Sequence, residues 1–406
     1  MAIPELFREA LRALRAHALR SALTLLGIVI GVATLVAVIS VIAGLNAFVQ
    51  DRVIQLAPDV YVVQKFGIIR SRDEFFEAMK RRNLDWNDYE VLSRTLARAE
   101  QVAAEAIGSS AVKFRDRRLT DVTVQGTTAN FGPMVRLDIL GGRYFTPLED
   151  QTAQAVAIIG SDIKDELFPQ LDPLGHTVLV GGAPYRVIGL LVKQGRTLGE
   201  ERDRKVFIPI QAYRRQFGSR ESLNVLIKAS GGVPGLEASV DEVRALLRAL
   251  RHTPFRAADP FGVVTAESLQ TLWRQISAAA FVLSLLIASV SLGVGGIVIM
   301  NIMLVAVVER TREIGVRLAM GARKRDIRRQ FLLEATLLSL AGGLAGVVLG
   351  GLAALGVRGL LDFPAHVTPG IVLMGIGLSA GVGLAAGYWP ARNASNLPVV
   401  DALRAE

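Results

Sequence analysis

Residues able to do chemistry are few in this 406-residue chain, and they stand far apart. The four histidines, His17, His176, His252 and His366, fall in separate stretches, and none has a partner at the spacing a bound metal needs. Ser109-Ser110 and Ser161-Asp162 could supply a nucleophile, but no G-x-S-x-G frame surrounds them. No G-x-x-x-x-G-K-[ST] segment is present to cradle nucleotide phosphates. No catalytic, cofactor-binding or metal-ligating residue is therefore expected. Phe66, Phe75, Phe76 and Phe131 have the character to line an apolar substrate groove, although such residues more often fill a core. The segment 309–334 carries eight basic and four acidic residues. Within it Ile314 and Leu318 stand four apart, as do Glu313 and Arg317, and Gly321 sits where a helix would end. The spacing predicts a short amphipathic helix whose Ile314–Leu318 stripe suits another protein's groove. A solvated basic loop that only sets topology is the plainer alternative.

The elements that present this segment are apolar. Half of the chain is hydrophobic (51%), mean hydropathy is +0.39 and there is no cysteine, which excludes a disordered chain, a disulfide-stapled domain and an ordinary soluble enzyme. Four runs lack Asp, Glu, Lys and Arg for long enough to cross a bilayer: 21–50, 275–308, 335–357 and 366–391. The second run would measure about 51 Å as a helix, more than the hydrocarbon thickness, and is expected to project as a stalk. The net charge of +9 is concentrated beside the spans, in 1–20 and in 309–334. By the positive-inside rule both segments, and the tail 392–406, are expected in the cytoplasm, and the first span reads as an uncleaved signal anchor. Residues 51–274 then lie outside, with 31 basic and 28 acidic residues, a balance typical of a folded domain and not of a polyanion trap. No nucleic-acid partner is expected.

The expected fold is a polytopic α-helical membrane protein with four transmembrane helices and a large α+β extracytoplasmic domain between the first two. Strand-like 59–64, helical 85–98 and strand-like 101–107 form one βαβ pattern; 223–229, 233–251 and 261–265 form a second. These two patterns (51–108 and 220–274) predict a membrane-proximal βαβ part, with 109–219 inserted as a β-rich part containing strands at 176–180, 185–192 and 205–209. Within the spans, Gly27 and Gly31, then Gly342, Gly346 and Gly350, then Gly377 and Gly381 recur at helical spacing, the pattern of close helix packing in a bundle or dimer. No ionisable residue lies in any run, which argues against ion-coupled transport.

Several motifs resemble one family. Asn301-Ile302-Met303-Leu304, Glu309-Arg310-Thr311-Arg312-Glu313-Ile314-Gly315-Val316-Arg317, Gly321-Ala322-Arg323 and Gln330-Phe331-Leu332-Leu333-Glu334 look like the C-terminal half of the FtsX/MacB permeases of ABC transporters. Arg20-Ser21-Ala22-Leu23-Thr24-Leu25-Leu26-Gly27-Ile28, Pro390-Ala391-Arg392 and Asp401-Ala402-Leu403-Arg404 resemble it too, and the layout of one span, an outer domain and three spans agrees. The resemblance implies a mechanotransmission permease: two subunits, identical or different, dimerise, and two copies of an ABC ATPase that bind ATP and Mg drive motion through the coupling helix, here Glu309 to Gly321. MacB proteins proper carry their ATPase on the same chain, so a separate ATPase subunit is expected here. A periplasmic adaptor and an outer-membrane channel remain open as partners. Two other uses of the same device stay open: an FtsX-like regulator of a cell-wall hydrolase and a peptide-sensing signalling subunit. Substrate is not legible.

Overall fold

The computed structural model describes residues 18–48, 57–193, 196–197, 200–201, 203–361, 365–399 and 402. Most of segment 1–20, with His17, and Asp401, Leu403 and Arg404 lie outside the described residues. In chain order the elements are α1 (Ala18–Phe48), β1 (Val60–Gln64), α2 (Arg72–Lys80), α3 (Trp86–Thr95), β2 (Ala99–Phe114), β3 (Arg117–Thr127), α4 (Phe131–Met134), β4 (Ile139–Gly142), α5 (Pro147–Gln151), β5 (Val156–Ile159), α6 (Ser161–Leu167), β6 (Thr177–Val180), β7 (Ala183–Leu191), β8 (Arg196–Thr197), β9 (Glu200–Glu201), β10 (Lys205–Pro209), α7 (Ile210–Phe217), β11 (Asn224–Ala229), α8 (Leu236–Leu250), β12 (Gly262–Thr265), α9 (Ala266–Glu309), α10 (Thr311–Ala319), α11 (Lys324–Leu361) and α12 (Pro369–Ser395). They fall into two units, Met1–Phe48 with Arg274–Glu406, and Val49–Trp273.

In the second unit ten strands form one sheet in the order β12-β1-β11-β2-β3-β10-β5-β7-β4, with β6 against β2 and β7, and β8 and β9 pair by themselves. The two βαβ patterns are interleaved. β11 lies antiparallel between β1 and β2, and β1 lies antiparallel between β11 and β12, so each pair of like-directed strands encloses a strand of the other unit. This is the split-βαβ arrangement of ferredoxin-like folds. The intervening helix α3 starts from a capping box at Asp85, whose side chain takes the Asp88 amide while Asp88 takes the Asp85 amide. Arg251, at the end of α8, reaches the same turn: it pairs with Asp88 at 2.6 Å, with both side chains almost fully buried.

The inserted part shares this sheet. β2 runs to Phe114, well past the strand read at 101–107, and crosses position 109 without a break before turning into β3, so the boundary between the two parts passes through a strand. Side chains alternate to two cores: Ala157, Ile159, Val206 and Ile208 on one face, Ile158 and Phe207 on the other. Phe131 joins the second core, whereas Phe66, Phe75 and Phe76 form an exposed aromatic stack.

Among the described residues four helices are long and apolar enough to cross a membrane, Leu26–Asn46, Ala266–Glu309, Lys324–Gly359 and Pro369–Ser395. Helix α9, at 44 residues, extends about 66 Å, roughly twice the hydrocarbon thickness. The helices approach through small residues. A Cβ on Gly27 would lie 3.2 Å from Gly295 Cα, and one on Gly31 3.1 Å from Leu292, so α1 meets α9 on that side. Cβ atoms on Gly346 and Gly350 would fall 2.9 Å from Val29 O and 2.6 Å from Ala33 O, which sets α11 against α1. Gly342 is buried on the same helix. Helices α11 and α12 pair along an antiparallel ladder: Ala335 with Gly387, Ser339 with Gly383, Gly343 with Ser379, and Val347 with Gly375. The buried Ser339 and Ser379 hydroxyls donate within their own helices, to Thr336 O and Ile376 O, so the ladder carries no orphaned hydroxyl. Gly377 and Gly381 do not pack within the bundle, because nothing among the described residues lies within 4 Å of a Cβ at either position. A two-residue shift turns a helix through about 200°, so the neighbouring stripe 375–379–383–387 faces inward while 377 and 381 face away.

Candidate functional site

The candidate site is the loop between α9 and α11. Helix α9 continues its backbone ladder to the Arg310 amide, and Arg310, with φ −104° and ψ 18°, breaks it and caps α10. The far end is a Schellman closure: the Gly321 amide donates to Leu318 O at 3.1 Å and the Ala322 amide to Arg317 O at 3.0 Å. This closure requires the left-handed backbone of Gly321, whose φ is +94°. The helix expected from Glu309 to Gly321 is thus present, with Glu309 as the last residue of α9.

Its apolar stripe points the other way from the sequence expectation. Ile314 is 3% exposed and belongs to the bundle core with Val307, Ile327, Phe331 and Ala394, and Leu318 packs on the same cluster. Gly315 is buried beside it. The buried Ile314, with the partly buried Leu318 beside it, therefore anchors α10 to its own chain. Periodicity locates a stripe but not which side of it is covered, and here the ends of α9, α11 and α12 cover it. The solvent face instead presents Arg312, Glu313, Val316 and Met320; Val316 is 42% and Met320 83% exposed, and they stand four residues apart.

A polar chain ties α10 to α11. Arg310 Nη1 reaches both Glu334 carboxylate oxygens at 3.3–3.4 Å, and Gln330 Nε2 donates to Glu334 Oε1 at 3.3 Å. Arg317 Nη1 donates to Gln330 Oε1 at 2.7 Å while its other nitrogen pairs with Glu313. Glu334 is largely buried, so its pairing with a guanidinium offsets the desolvation of its charge. Gln330 and Glu334 enter the sequence reading only as part of a family motif, with no link to α10, and Gly295, Gly343, Gly375, Gly383 and Gly387 do not enter it. The four-fold small-residue stripe 375–379–383–387 was a longer signal than Gly377–Gly381.

In the sheet domain a cavity of about 440 Å³ lies among α3, the segment after β3, α5 and the start of α7, lined by Trp86, Tyr89, Asn130, Asp150 and Gln211 among others. Burial raises the Asp150 carboxyl to about 6, opposed by the amides of Gln211, Ala129 and Ile210. The neighbouring Glu149 is held at about 2, chiefly by its two-pronged hydrogen bond from Arg143, both contacts at 2.7 Å. His176 packs against Phe114 and Phe168, and His252 follows α8, so the described histidines do not converge. Among the described residues no three His, Asp or Glu side chains are grouped to hold a metal.

Comparison with known proteins adds a family to this geometry. A model described as the MacB-like periplasmic core domain matches residues 21–250, and one described as the FtsX-like permease C-terminal matches residues 285–399. The macrolide export ATP-binding/permease protein MacB of Azoarcus sp. is 37% identical over 409 residues, covering 99% of this chain and 60% of that protein. Its counterpart in Bdellovibrio bacteriovorus is 31% identical over 406 residues, covering 99% and 62%. The chain thus spans about three fifths of the length of the curated relatives it matches. The crystallised periplasmic region of MacB from Actinobacillus actinomycetemcomitans aligns with a TM-score of 0.46 at 17% identity, covering 55% of this chain and 96% of that one. The chain belongs to the family in which a MacB-like periplasmic core domain is joined to an FtsX-like permease C-terminal region.

Proposed function

We propose that this chain is the permease subunit of an ABC transporter in which an ATPase, absent from these 406 residues, drives motion of the outer domain. In this reading α10 is the coupling helix, the loop 309–334 and the tail face the cytoplasm, the sheet domain lies in the periplasm, and two permease subunits meet two ATPases that bind ATP and Mg. The work done is export or extraction of a substrate from the periplasm or outer leaflet. The observation that carries the reading is the two-sidedness of α10: Ile314 and the Arg310–Glu334–Gln330–Arg317 chain fix one face to the bundle, leaving Arg312, Val316 and Met320 outward. Force applied to that outward face reaches α11 directly through side chains, without passing through a flexible loop.

The test is capture of the chain from its native membrane in mild detergent, with vanadate-sensitive ATP hydrolysis measured on the eluate. Val316→Asp with Met320→Asp should lower ATPase recovery by about ten-fold or more, because two carboxylates would be buried in an apolar contact, with the melting temperature unchanged. Ile314→Asp with Leu318→Asp should instead lower the melting temperature of the chain itself. Undiminished ATPase recovery with the first pair would remove α10 as the docking helix.

A further inference from the structure

Gly315 stands mid-way along α10, where glycine is the poorest helix former after proline. A Cβ added there would lie 2.7 Å from the Ala402 Cβ and 3.3 Å from the Ala402 carbonyl carbon, closer than two carbons pack. Ala402 is 1% exposed, and its amide donates to Pro398 O at 3.0 Å, which holds Ala402 beside Pro398 as well as against α10. The same segment is held twice more. Leu397 packs on the cluster that contains Ile314, and Lys324 Nζ, one turn of chain past Gly321, donates to Asn396 Oδ1 at 3.4 Å. Among the described residues nothing else comes so close to a Cβ at Gly315, so the methyl of Ala402 sets how deeply α10 can sit.

We propose that Asn396, Leu397, Pro398 and Ala402 form an internal strut that fixes the seat of α10 on the bundle, with Gly315 and Ala402 as complementary positioning residues. The contact itself stands on geometry alone; its effect on ATP turnover rests on the reading of α10 as the coupling helix. The strut gives α10 a third support, besides Ile314 and the Arg310–Glu334 pair. A helix held at three points passes on a push instead of rolling beneath it.

A size exchange tests this on the full chain. Helix propensity alone predicts that Gly315→Ala slows hydrogen exchange of the α10 amides. The strut predicts the opposite: the added methyl meets Ala402, and amides 314–319 exchange about ten-fold faster. Ala402→Gly alone should change exchange little, and the double variant Gly315→Ala/Ala402→Gly should return within about two-fold of the parent. Vanadate-sensitive ATP hydrolysis by the captured complex should fall in the single Gly315→Ala variant and recover in the double. Slower or unchanged exchange in Gly315→Ala, or no recovery in the double variant, overturns the strut. If the parent chain brings down no ATPase, the coupling reading fails, while the exchange measurements still decide the strut.

Discussion

In the helix bundle small residues let the helices approach closely: Gly27 on Gly295, Gly350 on the Ala33 carbonyl, Gly343 on Ser379. In the sheet domain the interior is filled by Tyr61, Phe168, Phe207, Leu84 and a run of isoleucines, and it contains the buried Arg251–Asp88 pair. The contrast follows from the solvent. Water drives large apolar side chains together, whereas lipid offers a leucine as good a surrounding as another helix does, so helices in lipid gain chiefly by bringing backbones close. A large residue is therefore an asset in one unit and a wedge in the other.

The sharpest way to break the contrast is at the buried ion pair. Arg251→Ala should leave Asp88 charged and unpaired, destabilise the sheet domain by about 3–5 kcal/mol and raise exchange of the β1 and β11 amides, with the bundle helices unaffected. Parent-like exchange in β1 would show that the pair is peripheral. Next in size is the bundle. Gly346→Leu and Gly350→Leu should each cost about 1–3 kcal/mol through overpacking against α1, while the same change at Gly377 and Gly381 should leave the melting temperature of the detergent-solubilised monomer where it was. Equal losses at both pairs would contradict the assignment of faces. The smallest effect is expected at Asp150. Its folded value near 6 lies above the ordinary 3.8, so the folded domain holds the proton more tightly than the unfolded chain. Stability from this group is full below about pH 4 and is lost as pH rises through 6. Asp150→Asn should flatten that slope and raise stability at pH 7 by roughly 1 kcal/mol, and an unchanged slope in pH-resolved unfolding would remove Asp150 as its source.

Much of the architecture was legible because it depends on local pattern. Charge-free runs gave four helices, a capping Asp gave α3, and Gly321 gave the end of α10. What the chain could not disclose locally was partnership. Period alone could not tell 375 from 377, since both begin small-residue stripes. The outward reading of Ile314 and Leu318 failed because an amphipathic helix shows two faces and only its neighbours decide which is covered. Glu334 and Ala402 lie 24 residues from Arg310 and 87 from Gly315, and no spacing rule links them. Strand β3 was overlooked because Arg117, Arg118 and Asp121 mask its alternation, although Leu119, Val122 and Val124 are buried.

The interleaving of the sheet also imposes an order on how the domain is made. Strand β1 lies between β11 and β12, so residues 60–64 acquire both hydrogen-bonded neighbours only after residue 265 has been synthesised. Contacts of such sequence separation form slowly and leave strand edges bare meanwhile. The last strand to arrive runs into α9 with no residue between, Thr265 capping that helix through reciprocal bonds with Ser268. Closure of the sheet and arrival of the second long apolar helix are thus adjacent events in the birth of the chain. Nascent chains that stall before β12 would carry an open edge, a natural mark for proteolytic quality control.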